Sequence, residues 1–238
     1  GFIGFHLSYE LLKKNVHVVG IDNINNYYDT KIKRDRLKIL KSFPNFIFLK
    51  LDLCNKKKIS KKLEKFKKRI KIIVHLAGQA GVRYSIINPE TYISNNIMAY
   101  VHLLEYFKKT KVKLILYASS SSIYGEKGSK KSLSFKKQND PISVYSASKL
   151  SMELISKVYN HLYNMNFIGI RFFSVYGPWG RPDMFYMKFL NKIRLNKTVH
   201  IYNKGMHYRS FTYIDDVILN LLKIIKKPII KIITKKRE

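Results

Sequence analysis

Apolar positions along the chain fall into two alternating rhythms. Continuous apolar runs of strand length occur at Val16–Ile21, Phe46–Leu53, Ile72–Leu76, Leu114–Ala118 and Phe167–Phe173. Between them apolar residues recur every three or four positions, which predicts helices near Phe5–Asn15, Thr30–Ser42, Lys56–Arg69, Glu90–Lys109 and Val144–Asn164. Strand and helix in strict alternation predict an α/β fold, a Rossmann-type doubly wound parallel sheet. Strands that are apolar throughout agree with burial on both faces. Ligands of such sheets bind at the carboxyl ends of the strands. After Val175 the rhythm changes. A Gly/Pro-rich turn at Tyr176–Pro182 precedes a predicted helix near Met184–Leu195, a strand at Val199–Tyr202 and a helix near Tyr213–Ile225. We read residues 1–175 as the main domain and 176–238 as the start of a smaller region. The helix at 213–225 is expected to pack back on the first domain. The last stretch, Lys226–Glu238, alternates Lys with Ile and predicts no tertiary role; no internal repeat is visible.

Composition narrows this picture. The 238 residues are 46% hydrophobic and 26% charged, enough to build a core. No apolar run reaches the roughly 18 residues of a membrane span, so none is expected. Gly1–Gly20 lacks the basic start and unbroken apolar block of a signal peptide. The single cysteine, Cys54, excludes an internal disulfide framework, and a reducing cytoplasm fits best. The net charge of +31 invites a nucleic-acid reading, but only nine of the 46 basic residues are Arg, the side chain favoured for reading phosphates and base edges. Lys is spread over nearly every segment, beside Ile and Asn, as compositional drift would leave it. The densest run, Lys56–Lys71, keeps Ile59, Leu63, Phe66 and Ile70 at helical spacing. It reads as a solvated amphipathic helix before a polyanion patch, and no nucleic-acid partner is expected. His6, His17, His75, His102, His161, His200 and His207 show no paired spacing, so no metal is expected.

Candidate chemistry lies at the predicted strand ends. Gly1-Phe2-Ile3-Gly4 opens a helix that is followed by a strand and then Asp22. Closely spaced glycines at a helix start let a pyrophosphate approach the helix N-terminus. An acid at the tip of the next strand can accept hydrogen bonds from ribose hydroxyls, and its charge repels a 2′-phosphate; together these point to NAD. Tyr145 and Lys149 stand four residues apart, on one face of a predicted helix. A tyrosine with a solution pKa of about 10 is a poor base at neutral pH. A lysine ammonium ~5 Å away, at an effective dielectric of ~20, favours the phenolate by roughly 3 kcal/mol. That brings the phenol toward the working range of a general acid/base. The run Tyr117-Ala118-Ser119-Ser120-Ser121-Ser122-Ile123-Tyr124-Gly125 follows a strand and offers small hydroxyls for a sugar. It is not a Gly-x-Ser-x-Gly elbow, and no His/Asp pair is spaced to support serine hydrolysis.

Five segments jointly carry a resemblance: Gly1–Gly4, His75-Leu76-Ala77-Gly78, the Ser run ending Ile-Tyr-Gly, Tyr-x-x-x-Lys, and Arg171–Pro178. Together they resemble the extended short-chain dehydrogenase/reductases that act on nucleotide sugars, the NAD-dependent epimerase/dehydratase family, from Gly1 to about Ile225. Within it the chain is most similar to the UDP-glucuronate 4-epimerase group, through Gln79–Ser85, Gly177–Met184, Arg209–Asp216 and Asp22–Asp29. The resemblance implies inversion at C4 of a UDP-sugar through a bound 4-keto sugar, with NAD retained through the cycle. UDP-glucose 4-epimerase or another nucleotide-sugar epimerase/dehydratase is the neighbouring alternative, and a non-catalytic NAD- or nucleotide-sugar-binding fragment is an alternative of another class. The resemblance further implies that Gly1, Phe2, Ile3, Gly4, Asp22, Asn23, Asp52, Leu53, Leu76, Ala77, Gly78, Asn95 and Phe173 line the NAD site. By the same resemblance Ser120, Tyr145 and Lys149 are the catalytic trio, with Tyr145 and Lys149 also touching NAD. Arg83, Ser121, Ser122 and Ser174 would touch the sugar, Arg181 would pair its carboxylate bidentately, and Arg209 would pair a UDP phosphate. Dehydratases and decarboxylases of the family carry acids where this chain has Ser121 and Ser122, which favours epimerisation.

A homodimer is implied by the resemblance alone, through a four-helix interface drawn from Glu90–Lys109 and Val144–Asn164. Some features depart from the family. Its motif begins one Gly-x-x earlier, after a central first strand, its substrate region continues further, and Ser210 stands where Asp is usual. The chain is expected to be an internal fragment or the product of a truncated open reading frame and, by itself, not a stable, active enzyme.

Overall fold

The computed structural model describes residues 1–125, 139–201, 205 and 209–234, with the backbone alone for 227–234. Two compact units result. One comprises Gly1–Gly20, Ile24–Phe48 and Ser174–Leu219; the other comprises Ile21–Asn23, Leu49–Phe173 and Asn220–Glu238.

The strands are β1 (Val18–Asp22), β2 (Phe46–Lys50), β3 (Ile72–His75), β4 (Leu114–Ser120), β5 (Phe167–Phe172), β6 (Ser174–Tyr176) and β7 (Phe211–Tyr213). They alternate with helices α1 (Phe2–Lys13), α2 (Thr30–Lys41), α3 (Lys56–Leu63), α4 (Tyr84–Ile87), α5 (Pro89–Tyr92), α6 (Ala99–Phe107), α7 (Val144–Tyr163), α8 (Phe185–Arg194) and α9 (Ile214–Thr234). The fold is α/β with parallel sheets, as the alternation predicts. β3, β4 and β5 form a parallel sheet in that order; β1 pairs with β2, and β6 runs parallel to β7. In the doubly wound order 3-2-1-4-5-6 the first strand pairs with the second and the fourth. The neighbour orders within the β1-β2 and β3-β4-β5 sheets are each compatible with that winding. Among the described residues no strand pairs with both β1 and β3.

Local chemistry sets the element ends. Short polar side chains cap three helices: Asp29 Oδ1 accepts Lys31 N at the start of α2, Asn55 Oδ1 accepts Lys58 N in α3, and Ser143 and Ser146 form a reciprocal capping box in α7. Asn164 ends α7 in the left-handed conformation that a short polar side chain tolerates. β4, the middle strand of its sheet, is buried along nearly its whole length. Its core gathers Tyr100, Leu104, Ile115, Tyr117, Met152 and Met165 from α6, β4, α7 and the turn before β5. The other unit builds a core on Phe5, Leu12 and Leu40. In α3 the apolar stripe is buried at Ile59 and Leu63, with Phe66 just beyond, and most of its lysines face solvent.

Four elements differ from expectation. The basic helix ends at Leu63 and tightens into a 3₁₀ turn, Glu64–Phe66, which tucks Phe66 into the core. The helix expected over Glu90–Lys109 is interrupted by a π-helical turn, Ile93–Met98, which periodicity alone cannot reveal. The strand expected at Val199–Tyr202 is irregular through Ile201, and Tyr202 lies outside the described residues. α9 does not stop at Ile225 but runs through Pro228 to Thr234.

Candidate active site

The carboxyl ends of β3 and β4 and the first turns of α7 bring the central candidates together. Lys149 is one helical turn after Tyr145 on α7 and is only 5% exposed. Its Nζ donates to the carbonyl of Ala118 in β4 at 2.8 Å and contacts Met152 Sδ at 3.7 Å. Burial pulls the Lys149 ammonium down to a pKa of about 8. It therefore keeps its charge at pH 7 but gives it up more easily than an exposed lysine. Tyr145 is half-buried, its ring edge-on to Tyr92 with centroids 6.0 Å apart. Ser120 ends β4, is 7% exposed, and its Oγ accepts from Ser122 N at 3.2 Å and from Ser122 Oγ at 2.9 Å. That bond caps the 3₁₀ turn Ser121–Tyr124, which packs against α7.

The loop after β3 approaches the same lysine. A side chain at Gly78 would stand 2.7 Å from Asn96 Oδ1 and 3.6 Å from Lys149 Nζ, and its φ of +153° suits glycine. Leu76 and Ala77 lead into it. His75, 3% exposed, stacks on Tyr100 with ring centroids 5.0 Å apart. Burial first, and then the positive charge of Lys149, pull its pKa down to about 3. The imidazole is therefore neutral and adds no charge beside the lysine.

A second group forms where β1 and β2 end. Leu51 N donates to Asp22 O at 3.2 Å, and Asn23 Nδ2 donates to Asp52 Oδ2 at 3.3 Å. Burial pushes the Asp52 carboxyl up, but bonds from Cys54 N and Asn23 outweigh it and the pKa falls below the usual range. Cys54 Sγ contacts Ser94 O and Asn95 Oδ1 at 3.3 and 3.7 Å, so Asn95 lies against the loop that carries Asp52. Leu53 in the same loop is buried, its carbonyl 3.2 Å from His102 Nδ1. Phe173 follows β5 and is half-buried; Arg83 precedes α4 and is exposed.

The remaining candidates belong to the other unit. Gly1 is exposed and its carbonyl accepts Phe5 N at 2.9 Å as α1 begins; Phe2 is buried, Ile3 and Gly4 half-buried. Ser174 starts β6 and its N–H donates to Ser210 O at 3.2 Å, which sets it beside the strand entered from Arg209. Arg209 is exposed. The loop carrying Arg181 is gripped from α2: Arg36, 2% exposed, donates to Trp179 O at 2.5 Å and Gly180 O at 3.2 Å. Arg181 itself makes a two-point ion pair with Asp183, Nε to Oδ1 at 3.0 Å and Nη2 to Oδ2 at 2.5 Å.

The sequence resembles known proteins along almost its whole length. The sequence model of the NAD dependent epimerase/dehydratase family matches residues 1–231. The chain belongs to that family. The protein CapI of Staphylococcus aureus is 44% identical over 228 residues, covering 96% of this chain and 67% of CapI. UDP-glucuronate 4-epimerase 1 of Arabidopsis thaliana is 42% identical over 226 residues, covering 93% of this chain and 52% of that protein. Among solved structures, UDP-glucuronic acid 4-epimerase from Bacillus cereus in complex with UDP-glucuronic acid and NAD superposes with a TM-score of 0.88 at 35% identity. That match covers 95% of this chain and 71% of the solved one. The chain thus spans about two thirds of the bacterial relative and about half of the plant enzyme.

For a member of the NAD dependent epimerase/dehydratase family, one residue the sequence reading passed over stands out. Asn96 sits in the π-helical turn and is fully buried. Its Oδ1 accepts Gln79 N at 2.7 Å, and its Nδ2 donates to Gln79 O at 3.0 Å and to Ser148 Oγ at 2.9 Å. Ser148 Oγ in turn donates to Tyr145 O at 2.7 Å. One amide thus ties the Gly78 loop to the turn of α7 that carries Tyr145. The visible signal was Asn95-Asn96 within an otherwise apolar helical run. Among the described residues no group of three or more His, Cys, Asp or Glu could hold a metal ion, and no helix is long and apolar enough to cross a membrane.

Proposed function

We propose that this protein is a nucleotide-sugar 4-epimerase that interconverts UDP-glucuronate and UDP-galacturonate with resident NAD. The observation that carries the reading is the buried Lys149, one turn from Tyr145 and bound to the strand that ends in Ser120. Support comes from family membership and from the likeness to an epimerase solved with UDP-glucuronic acid and NAD. The residues suit a dinucleotide: Gly78 leaves a bare stretch of backbone beside Lys149, and Asp22, Asn23 and Asp52 gather acceptors and an amide at the ends of β1 and β2. Asp22 and Asn23 would hold the adenosine ribose, Asp52, Leu53 and Asn95 would flank the adenine side, and Leu76, Ala77, Gly78 and Phe173 would line the nicotinamide side. Phe2, Ile3 and the glycines Gly1 and Gly4 are assigned to the pyrophosphate by their motif. When bound, NAD supplies the acceptor and then the donor of the C4 hydride.

The protein's own work is proton transfer and placement. Tyr145, as phenolate, takes the proton of the C4 hydroxyl and later returns it. Ser120 hydrogen-bonds that hydroxyl, with Ser122 behind it. Lys149 favours the phenolate by its charge and holds the nicotinamide ribose. Ser121, Ser174 and Arg83 orient the sugar, Arg209 a phosphate, and Arg181 the C6 carboxylate. In the full-length protein Tyr145→Phe should abolish turnover while bound NAD is kept; wild-type turnover would remove the reading.

A second reading has one observation behind it. Arg181 is already engaged by Asp183, so a sugar without a carboxylate, UDP-glucose, would leave that pair undisturbed. Turnover of UDP-glucuronate against UDP-glucose, repeated with Arg181→Leu, separates the two. We also propose a homodimer, supported by an apolar stripe on α7: Leu154, Val158 and Leu162 recur every four residues and are 53%, 52% and 60% exposed. The compartment we propose is the cytoplasm, in keeping with the single cysteine.

A further inference from the structure

Helix α7 is registered against β4 at two successive residues. Tyr145, Lys149 and Glu153 recur every four positions and so form one stripe. Lys149 Nζ takes the Ala118 carbonyl. Glu153 Oε1 accepts the hydroxyl of the next residue, the buried Ser119, at 2.5 Å. The residue after that is Ser120. Arg171 lies directly across from Ser119 in the paired strand β5 and closes the arrangement. It donates to Glu153 from Nε to Oε1 at 2.9 Å and from Nη2 to Oε2 at 2.7 Å. Nη2 also reaches Asn139 Oδ1 at 3.1 Å, and the guanidinium lies 4.8 Å from the centre of the Tyr124 ring. One planar cation therefore touches α7, the far end of the Ser121–Tyr124 turn and Asn139.

We propose that Glu153 and Arg171 are positioning residues for the reaction: they lock α7 to the end of β4 and so set where Ser120 stands relative to Tyr145. The inference rests on the reading of Ser120 and Tyr145 given above. An ion pair that served stability alone would be replaceable by well-packed apolar groups. The two-point fork adds direction, because guanidinium and carboxylate meet in one plane and at one height. The surroundings of Glu153 favour its charged carboxylate: burial pushes its pKa up, but the bonds from Arg171 and Ser119 bring it below the usual value. A catalytic pair displaced by about 1 Å can lose on the order of 10²-fold in rate.

The test measures kcat, KM, bound NAD and thermal midpoint in the full-length protein carrying Glu153→Ala, Glu153→Gln, Arg171→Lys or Ser119→Ala. Glu153→Ala should lower kcat about 10²-fold, with KM and bound NAD changed by less than about twofold. Arg171→Lys, which keeps the charge but not the fork, should resemble it; Glu153→Gln and Ser119→Ala should lose about tenfold. Wild-type kcat with only a lowered midpoint, or a loss confined to NAD retention, overturns the proposal. Should Glu153→Ala fail to fold, Ser119→Ala decides, since it removes a single hydroxyl. Tyr145→Phe run alongside separates the layers: if it retains turnover the site reading falls, and if it is dead while these variants are normal only the positioning role falls.

Discussion

Lys149 and Arg181 are the two cations on which the proposed chemistry leans most, and they are held in opposite ways. Lys149 is buried against a backbone carbonyl with its pKa drawn down to about 8. Arg181 is partly exposed and locked in a two-point pair with Asp183. Burial makes a lysine responsive, because the cost of holding the charge is close to the gain from it, so a nearby phenolate or a cofactor charge can shift the balance. A carboxylate partner does the reverse, fixing the orientation of a guanidinium whose charge never titrates. Proton transfer needs the first kind of cation. Recognition of a planar anion needs the second.

The largest expected break in this contrast is Lys149→Met. It should lower kcat by about 10²–10⁴-fold, the usual contribution of a placed acid/base system, as read by steady-state turnover. The same variant carries a stability signature. The folded pKa of about 8 lies below the 10.5 of an ordinary lysine, so the unfolded chain holds more protons between those values. Stability of the unliganded protein should therefore rise as pH climbs from about 8 to 10.5, by up to about 3 kcal/mol. Denaturant midpoints at pH 7.5 and 10 check this, and Lys149→Met should remove that part of the rise.

Asn96→Ala comes next. It removes the Asn96 bonds to the buried Gln79 N–H and C=O and to Ser148 Oγ, which keeps only its bond to Tyr145 O. A loss of about 2–3 kcal/mol in unfolding free energy is expected, since unsatisfied buried groups cost more than the bonds they made. An unchanged denaturant midpoint would show that the amide is not the joint between the Gly78 loop and α7. Arg181→Leu should raise KM for UDP-glucuronate about 10–100-fold and leave UDP-glucose nearly untouched, as one charge-assisted pair is worth about 1.5–3 kcal/mol. Asp183→Asn is the smallest. Its partly exposed pair should contribute less than about 1 kcal/mol to stability, measured by thermal melting. A larger loss would mean that Asp183 holds the Trp179–Met184 loop as well as the guanidinium.

Much of the proposed catalytic stripe follows from the chain alone. Tyr145 and Lys149 are local neighbours, and their shared face follows from helical spacing alone. Asp22 at a strand tip is likewise read from short-range order, whereas Gly78 enters through the resemblance carried by its motif. Glu153, Arg171 and Asn96 are read from neither. Glu153 and Arg171 are eighteen residues apart on successive elements, and Asn96 and Gln79 are seventeen apart with two short helices between them. The π-helical turn was hidden too, because an extra residue in a turn leaves the apolar period almost intact over so short a stretch.

Alone, the string of residues determined the kind of fold and the kind of chemistry, because strand and helix periods, caps and the Tyr-x-x-x-Lys spacing act over a few neighbours. Tertiary structure decided which charges are tuned and which are fixed. Whether Lys149 loses its water, whether Arg181 finds Asp183, and whether Ser119 meets Glu153 depend on segments far apart in the chain closing on one another, and both desolvation and hydrogen-bond geometry exist only once they have.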